Sequence, residues 1–460
     1  MKHNRKLSAL AVILCIASAP VSAQSLADTF IAAYRSSDLL EQNRAVLRAA
    51  DEDVAIAVAT LRPVLNFVAN ANTSYTSSPP IGQRNTTESL SVGLNASMTL
   101  IDFGRGRLGR EVAEAQVLAT RQALVNVEQQ VMLNAVVAFM DVRSASEAVS
   151  LSQATLRVIN QELSAARERF ELGEITRTDV SLAEARLAAA RSQLAAAEGD
   201  LAAAREDYKL VTGQYPGQLR PPPALPRTAD SLQVAQDVAR RTHPNIAQAQ
   251  HQVRVAELGA EIAYAQRHGS VDATADVGRA INNRGGDTTT ASAGIRYTRP
   301  IYQGGRLSAE HRRANARRDE ARSGLHQTVA QVLQNVAVAW ANVDVASARI
   351  AASQQQVRAS ESAFEGTREE ARLGARTTLD VLNAETDLLD ARTTLLQAQA
   401  AQQIATYNLL AAMGLLTVDH LGLGIPTYDV EAYYNAVSHA PLSSPQGEAL
   451  DRVLQSIGRQ

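Results

Sequence analysis

The 460-residue chain holds one cysteine, Cys15, one tryptophan and six phenylalanines, and aromatic residues make up only 4% of it. A lone cysteine near the N-terminus leaves the rest of the chain without a disulfide framework, a thiolate zinc site or a thiol nucleophile. Scarce aromatics fill thick globular cores poorly. The 45% apolar content, carried largely by Ala, Val and Leu, suits thin, closely packed helices. With 45 Lys and Arg against 47 Asp and Glu, no charge of one sign dominates, and this argues against a nucleic-acid partner. The eight histidines show no metal-ligand spacing, and no Ser/His/Asp set, phosphate loop or paired carboxylate site can be assembled. The chain reads as no enzyme, with no cofactor and no metal.

At the N-terminus, Lys2, Arg5 and Lys6 precede an apolar stretch from Leu7 to Ala17, and Val21-Ser22-Ala23 places small residues before Gln24. The pattern predicts a secretory signal over residues 1–23, cleaved between Ala23 and Gln24. The stretch is shorter than the roughly 20 residues that span a bilayer. Leu14 before Cys15 occupies the place where lipid attachment needs a small residue. No later segment is apolar and uninterrupted for long enough to be a transmembrane helix, so an exported chain of this kind is either soluble or a β-barrel.

Glycine and proline are also missing from Arg110 to Leu172. An unbroken helix over those 63 residues would be about 95 Å long. After Gly173 a strict heptad begins, with Val180, Leu187, Leu194, Leu201 and Tyr208 at one position and Ala183, Ala190, Ala197, Ala204 and Val211 at the other. Seven-residue spacing marks a helix–helix seam, and alanine at alternate seam positions lets two backbones approach closely. The pattern therefore predicts antiparallel helical hairpins turning at Gly173 and Gly374.

The second turn follows from an internal duplication. Phe170-Glu171-Leu172-Gly173 with Thr178-Asp179-Val180 recurs 201 residues later as Ala371-Arg372-Leu373-Gly374 with Leu379-Asp380-Val381. The same offset pairs Phe139 with Trp340, Glu184 with Glu385, and Asp102-Phe103-Gly104-Arg105 with Gln303-Gly304-Gly305-Arg306. The second seam reads Val381, Leu388, Leu395, Gln402, Leu409 and Ala384, Ala391, Ala398, Ala405, Ala412. Upstream in each half, Leu26 to Ala69 and Leu232 to Thr274 carry helical patterns leading into polar, alternating stretches. The expected organisation is a first repeat over 24–213, a Pro-rich linker over 214–228 with Pro216, Pro221, Pro222, Pro223 and Pro226, a second repeat over 229–414, and a C-terminal segment over 415–460.

Each repeat also holds two stretches of period-2 alternation. Ser89 to Leu100 sets Leu90, Val92, Leu94, Ala96, Met98 and Leu100 against Ser91, Gly93, Asn95, Ser97 and Thr99. Leu65 to Tyr75, Val271 to Val277 and Ala291 to Tyr297 alternate likewise, with loops expected over Thr76 to Glu88 and around Asn282 to Gly286. The helices spend their apolar seams on one another, so a bilayer is the solvent left for the apolar strand faces. Four strands cannot close, and open edges are not tolerated in lipid. Two copies would give eight strands with a filled interior, and three would give twelve around water. A lumen lined by Ser, Thr, Asn and Asp favours three.

Taken together, the duplication, the two strand-to-helix junctions and the paired tips resemble the TolC-like outer-membrane efflux and secretion proteins of Gram-negative bacteria, from about Leu26 to Leu415. The resemblance implies a mainly α fold with a transmembrane β-barrel: a homotrimer whose four strands per protomer complete a twelve-stranded barrel in outer-membrane lipid, above a long α-helical hairpin tunnel crossing the periplasm. Pro216 to Pro226 and Leu415 to Gln460 would form a belt around the tunnel. It also implies a passive exit duct for type I protein secretion or multidrug efflux, serving an inner-membrane ABC or RND-type pump through a periplasmic adaptor. By motif position, Asp179 and Arg376 correspond to links that hold the tunnel entrance shut, and Asp380 to an acidic constriction. Leu172, Gly173 and Thr178, with Leu373 and Gly374, would form the adaptor-docking tips. Ala371 stands where the family pattern has a tyrosine and Asn383 where it has a second acid, so the gate should have fewer links and a less negative constriction.

Plainer readings of the same residues exist. Asp179 and Asp380 would also favour helix N-termini electrostatically, Gly173 and Gly374 would serve as turn formers, and the run from His311-Arg312-Arg313 through Arg317-Arg318 to Arg322 reads as a solvated helix face near lipid headgroups. The alternative for the whole chain is a structural periplasmic coiled-coil protein with a membrane-attached hairpin region.

Overall fold

The computed structural model describes residues 23–78 and 83–440, together with 448, 449 and 452. Residues 1–22 of the predicted signal over 1–23, Pro79-Pro80 and most of the tail beyond 440 lie outside the described residues. The element order is α1 (Leu26–Ser36), α2 (Asp38–Ala59), β1 (Val64–Ser78), β2 (Gln83–Ile101), α3 (Arg105–Glu171), α4 (Arg177–Thr212), α5 (Leu232–Thr242), α6 (Pro244–Ala265), β3 (Ser270–Asn282), β4 (Asp287–Thr298), α7 (Arg306–Arg372), α8 (Thr378–Ala412) and a short α9 (Ala432–Val437). Two helices, two strands and a long helical hairpin thus occur twice. α3 and α7 are each 67 residues long, as the stretch without glycine or proline leads one to expect for the first.

Contacts divide the chain into two compact units. One comprises the chain up to Ser36 with Asn134–Leu225 and Arg349–Gln403, and the other Ser37–Leu133, Pro226–Ala348 and everything from Ile404 onward. Each unit draws on both repeats.

In the first unit α4 buries its predicted seam. Ala183, Leu187, Ala190, Ala204 and Tyr208 are buried, Val180, Leu194, Ala197, Leu201 and Val211 are half-buried, and most residues between them are exposed. α1 docks on the far end of α4, where Thr29 Oγ1 and the buried Tyr208 hydroxyl lie 3.0 Å apart. Gln24 ties down the Pro-rich segment. Its backbone bridges Leu219, with Gln24 N donating to Gln218 O and Arg220 N to Gln24 O, both at 2.8 Å, and its Oε1 accepts from Gly217 N at 3.0 Å.

In the second unit, α5, α6, α7 and the end of α8 share a core of small and medium side chains: Ala235, Ala239, Ile246, Val332, Val336, Ala339, Leu409 and Met413. The C-terminal segment straps across α2 and α3. Glu128 accepts from Val418 N at 2.7 Å, Arg121 donates to Val430 O at 3.2 Å and stacks over Tyr434, and Tyr433 donates to Glu52 at 2.8 Å.

Two expectations about element ends need correction. The helical patterns do not reach Ala69 or Thr274: α2 ends at Ala59 and α6 at Ala265, and each preceding helix is broken, at Ser37, whose side chain caps α2, and at His243, which precedes Pro244. The expected loop over Thr76 to Glu88 is mostly strand. β1 and β2 pair from Val64↔Ser97 to Ser78↔Gln83, leaving residues 79–82 between them. Backbone ladders need no apolar side chains, so the apolar alternation marks only part of each strand.

Candidate functional site

The four strands form one antiparallel sheet in the order β1-β2-β3-β4, so the hairpins of the two repeats join through β2 and β3. Register places the apolar residues on a single face. Phe67, Leu94, Val277 and Ala291 form one cross-strand row, and Leu65, Ala96, Ala275 and Ala293 the next. Leu65, Phe67, Leu90, Ile295 and Tyr297 are more than half exposed. This face runs from the row of Tyr297 to that of Asp287, about 33 Å along the strand and about 25 Å of height at the tilt usual in transmembrane barrels. It is apolar except towards the Asp287 end, where Arg279 and Thr289 share one row and Arg279 pairs with Asp287 of the next. The opposite face carries Asn95, Thr99, Asp272 and Asp276, with Asn95 donating to Asp276 at 2.5 Å and Thr99 to Asp272 at 2.8 Å. Both edge strands lack a neighbour among the described residues.

The predicted junctions turn the chain from sheet to helix in matching ways. Phe103 and Gly104 have positive φ, as do their counterparts Gly304 and Gly305. Asp102 holds the first junction by accepting from Gly104 N at 2.9 Å, and Arg105 reaches across to Gly269 O at 2.8 Å. Gly269 is required there: its φ is +84°, and a Cβ would stand 2.2 Å from Thr298 O.

At the other ends of the long helices, the two tips have one construction. Gly173 and Gly374 both have φ of +78°. Gly173 N donates to Phe170 O and Glu174 N to Arg169 O, and Gly374 N to Ala371 O and Ala375 N to Glu370 O, which is the Schellman helix stop. Leu172 and Leu373 project from these turns, 76% and 78% exposed.

Three residues later comes a helix start of the kind the plainer reading of Asp179 and Asp380 expects; the capping box there, which the Thr-x-x-Asp spacing announces, is what sequence reasoning missed. Asp179 Oδ2 accepts from Thr176 N at 2.9 Å and Thr176 Oγ1 at 2.8 Å, while Asp179 N donates back to Thr176 Oγ1. Asp380 repeats this with Thr377 at 3.0 and 2.8 Å. These bonds, the backbone one first, hold both carboxyls below the usual range. Both acids are therefore ionised helix caps at exposed tips, and Thr178 is exposed in the first turn of α4.

Within one chain Arg376 pairs with Glu370 at 2.9 Å, and Asp380 lies within its electrostatic reach. Within the single chain the bonds of Asp179 go to Thr176 and the ion pair of Arg376 to Glu370, so the structure does not bring Asp179 and Arg376 together. Ala371 is buried in the seam of its own hairpin with Phe364, Val381 and Leu388, and Asn383 accepts from Arg186 of α4 at 2.8 Å. Of the arginine run, Arg312, Arg313 and Arg317 are exposed, Arg318 pairs with Asp319 and Arg322 with Glu257. No group of His, Cys, Asp and Glu among the described residues could hold a metal ion.

Known proteins share this construction. The chain is 34% identical to the outer membrane efflux protein BepC of Brucella suis biovar 1 (strain 1330), over 95% of this chain and 96% of that protein. It is 24% identical to the outer membrane protein TolC of Escherichia coli (strain K12), over 96% of this chain and 91% of that protein. The crystal structure of the Campylobacter jejuni CmeC outer membrane channel superposes with a TM-score of 0.73 at 16% identity, covering 90% of this chain and 89% of that one. The outer membrane efflux protein profile matches residues 32–214 and 236–415, one stretch in each repeat. The chain belongs to the outer membrane efflux protein family.

Proposed function

We propose that three copies of this chain close into a twelve-stranded barrel in the outer membrane, β4 of one protomer pairing with β1 of the next, and together form an exit duct for cargo delivered from the periplasmic side. The observation that carries this reading is the sheet itself: one mainly apolar face, with Arg279 and Asp287 paired at one end of it, one polar face, and two edges without a neighbour among the described residues, on a chain whose helices already pair with one another. In lipid, unpaired strand edges each cost several kcal/mol per exposed group, roughly, so closure with further copies is the stable outcome. As a member of its family the protein is a non-enzymatic channel.

The finer reading concerns the tips. The exposed Leu172-Gly173 and Leu373-Gly374 turns offer paired knobs to a periplasmic adaptor, which links the duct to an ABC or RND-type inner-membrane pump. Three symmetry copies of ionised Asp380 around a narrow axis attract cations and repel anions, and Asp179 with Arg376 of a neighbouring hairpin closes the entrance. The repeats over 24–213 and 229–414, the linker over 214–228 and the segment from 415 supply the barrel, tunnel and belt, after removal of 1–23 ahead of Gln24. The likeness to an efflux protein at 34% identity supports export as the function, in multidrug efflux or type I protein secretion. Purified protein in mild detergent should run on SDS gels as a trimer that collapses to monomer on boiling. A monomer before boiling, in protein whose circular dichroism shows the helices folded, would contradict the proposal.

A further inference from the structure

Consecutive residues of α8 face three different ways. Val381 stays in the seam of its own hairpin with Phe364, Ala371 and Leu388. Leu382, 1% exposed, leaves that seam and enters the first hairpin's, among Ile159 and Leu163 of α3 and Ala183, Leu187 and Ala190 of α4. Asn383 accepts from Arg186 of α4 at 2.8 Å. Just beyond, the buried Glu385 accepts from the Thr155 side chain of α3. Val158 of α3 returns the contact by packing on the second hairpin's cluster, and Arg368 of α7 pairs with Glu162 of α3 at 3.1 Å. All these residues belong to one compact unit.

The duplication shows that this is an addition to the hairpin plan. One repeat earlier, the counterpart of Leu382 is Ser181 and that of Glu385 is Glu184; both are exposed, and Glu184 pairs with Arg167 at the surface. A two-helix seam alone would leave position 382 in water. A buried leucine and a buried acid at these places therefore serve the contact between hairpins. The two act in opposite directions. Burial of Leu382 favours the docked arrangement, while burial of Glu385, whose carboxyl is pushed up by loss of water, opposes it. A contact balanced in this way holds the hairpins together without fusing them.

We propose that Leu382, flanked by the Arg186–Asn383 and Thr155–Glu385 bonds, is a same-chain latch that holds the second hairpin against the first in the resting duct, so that opening the tip requires withdrawing Leu382 from the first hairpin's seam. This rests on the exit-duct reading above. The latch is separate from the capping acids Asp179 and Asp380, which bond within their own turns.

The test compares resting single-channel conductance of reconstituted wild type, Leu382→Ala, Arg186→Ala and Asn383→Ala, each first verified as a heat-labile trimer. Leu382→Ala should raise the resting conductance or open probability at least about tenfold. Arg186→Ala and Asn383→Ala should each raise it by a few-fold, and combining the two should add nothing further. If Leu382→Ala fails to assemble, the two surface variants carry the test alone, since neither removes a buried side chain. Variants that conduct as the wild type does would overturn the latch and leave the duct intact. A verified wild-type trimer that never conducts would overturn the duct reading itself.

Discussion

Asp51 of α2 is 1% exposed, and neither of its carboxylate oxygens has a hydrogen-bond partner among the described residues. It lies beneath the C-terminal strap, facing Arg121 of α3, with Glu52 beside it and Tyr428 and Tyr434 of the strap within electrostatic reach. Burial pushes its pKa up to about 6 from 3.8, with Arg121 resisting and Glu52 assisting. A raised folded-state pKa in an acid means that the unfolded chain gives up this proton more readily. The stability linked to Asp51 is thus fully present below about pH 4 and is lost as pH rises through 6, by at most about 3 kcal/mol. Asp51→Asn should raise the thermal midpoint at pH 7.5 and raise it about a third as much at pH 4.5. Equal shifts at the two pH values would show that the carboxyl does not titrate with folding. Nothing in the sequence around Asp51 marks it, because its environment is assembled from α3 and a strap more than 350 residues away.

At the scale of elements, the capping boxes allow the two readings of Asp380 to be separated. Asparagine keeps an acceptor for Thr377 and removes the charge, whereas alanine removes both. If the acid ring sets selectivity, Asp380→Asn should lower the cation preference of the channel without fraying α8. Asp380→Ala should do so and also weaken the first turn, at a cost of about 1 kcal/mol, read as faster amide exchange at 378–381. Unchanged selectivity in both variants would leave Asp380 as a helix cap only. Much at this scale was legible in the residues. Heptad spacing marks a seam wherever two helices meet, and period-2 alternation marks the lipid-facing part of each strand, so α4 and the cores of β1 to β4 stand where the patterns place them. The strand ends over 76–78 and 83–88 were not legible, since their side chains are polar and only the backbone ladder orders them. The breaks at Ser37 and His243 were missed for a related reason. The apolar spacing continues across them, and the signals were a serine cap and a proline after histidine.

At the scale of the molecule, the sequence shows two repeats in series, while folding weaves them together. β2 of the first pairs with β3 of the second, and Leu382 of the second hairpin sits in the seam of the first. Such cross-repeat contacts leave no local period and so were not legible, which is why the expected links at the tip included Asp179 and Arg376 but not Arg186 or Leu382. The duplication was legible because it repeats landmarks at one offset, and family membership follows from both repeats together. What unites these features is a chain with a sheet fit for lipid on one side and water on the other, and helices that need no further apolar partner. The most direct test is ion conductance across a planar bilayer by the purified, verified wild-type trimer, with Arg376→Ala alongside. The account predicts a small, cation-selective conductance that grows when Arg376 is removed. A verified trimer that inserts into the bilayer and carries no current in either form would contradict it.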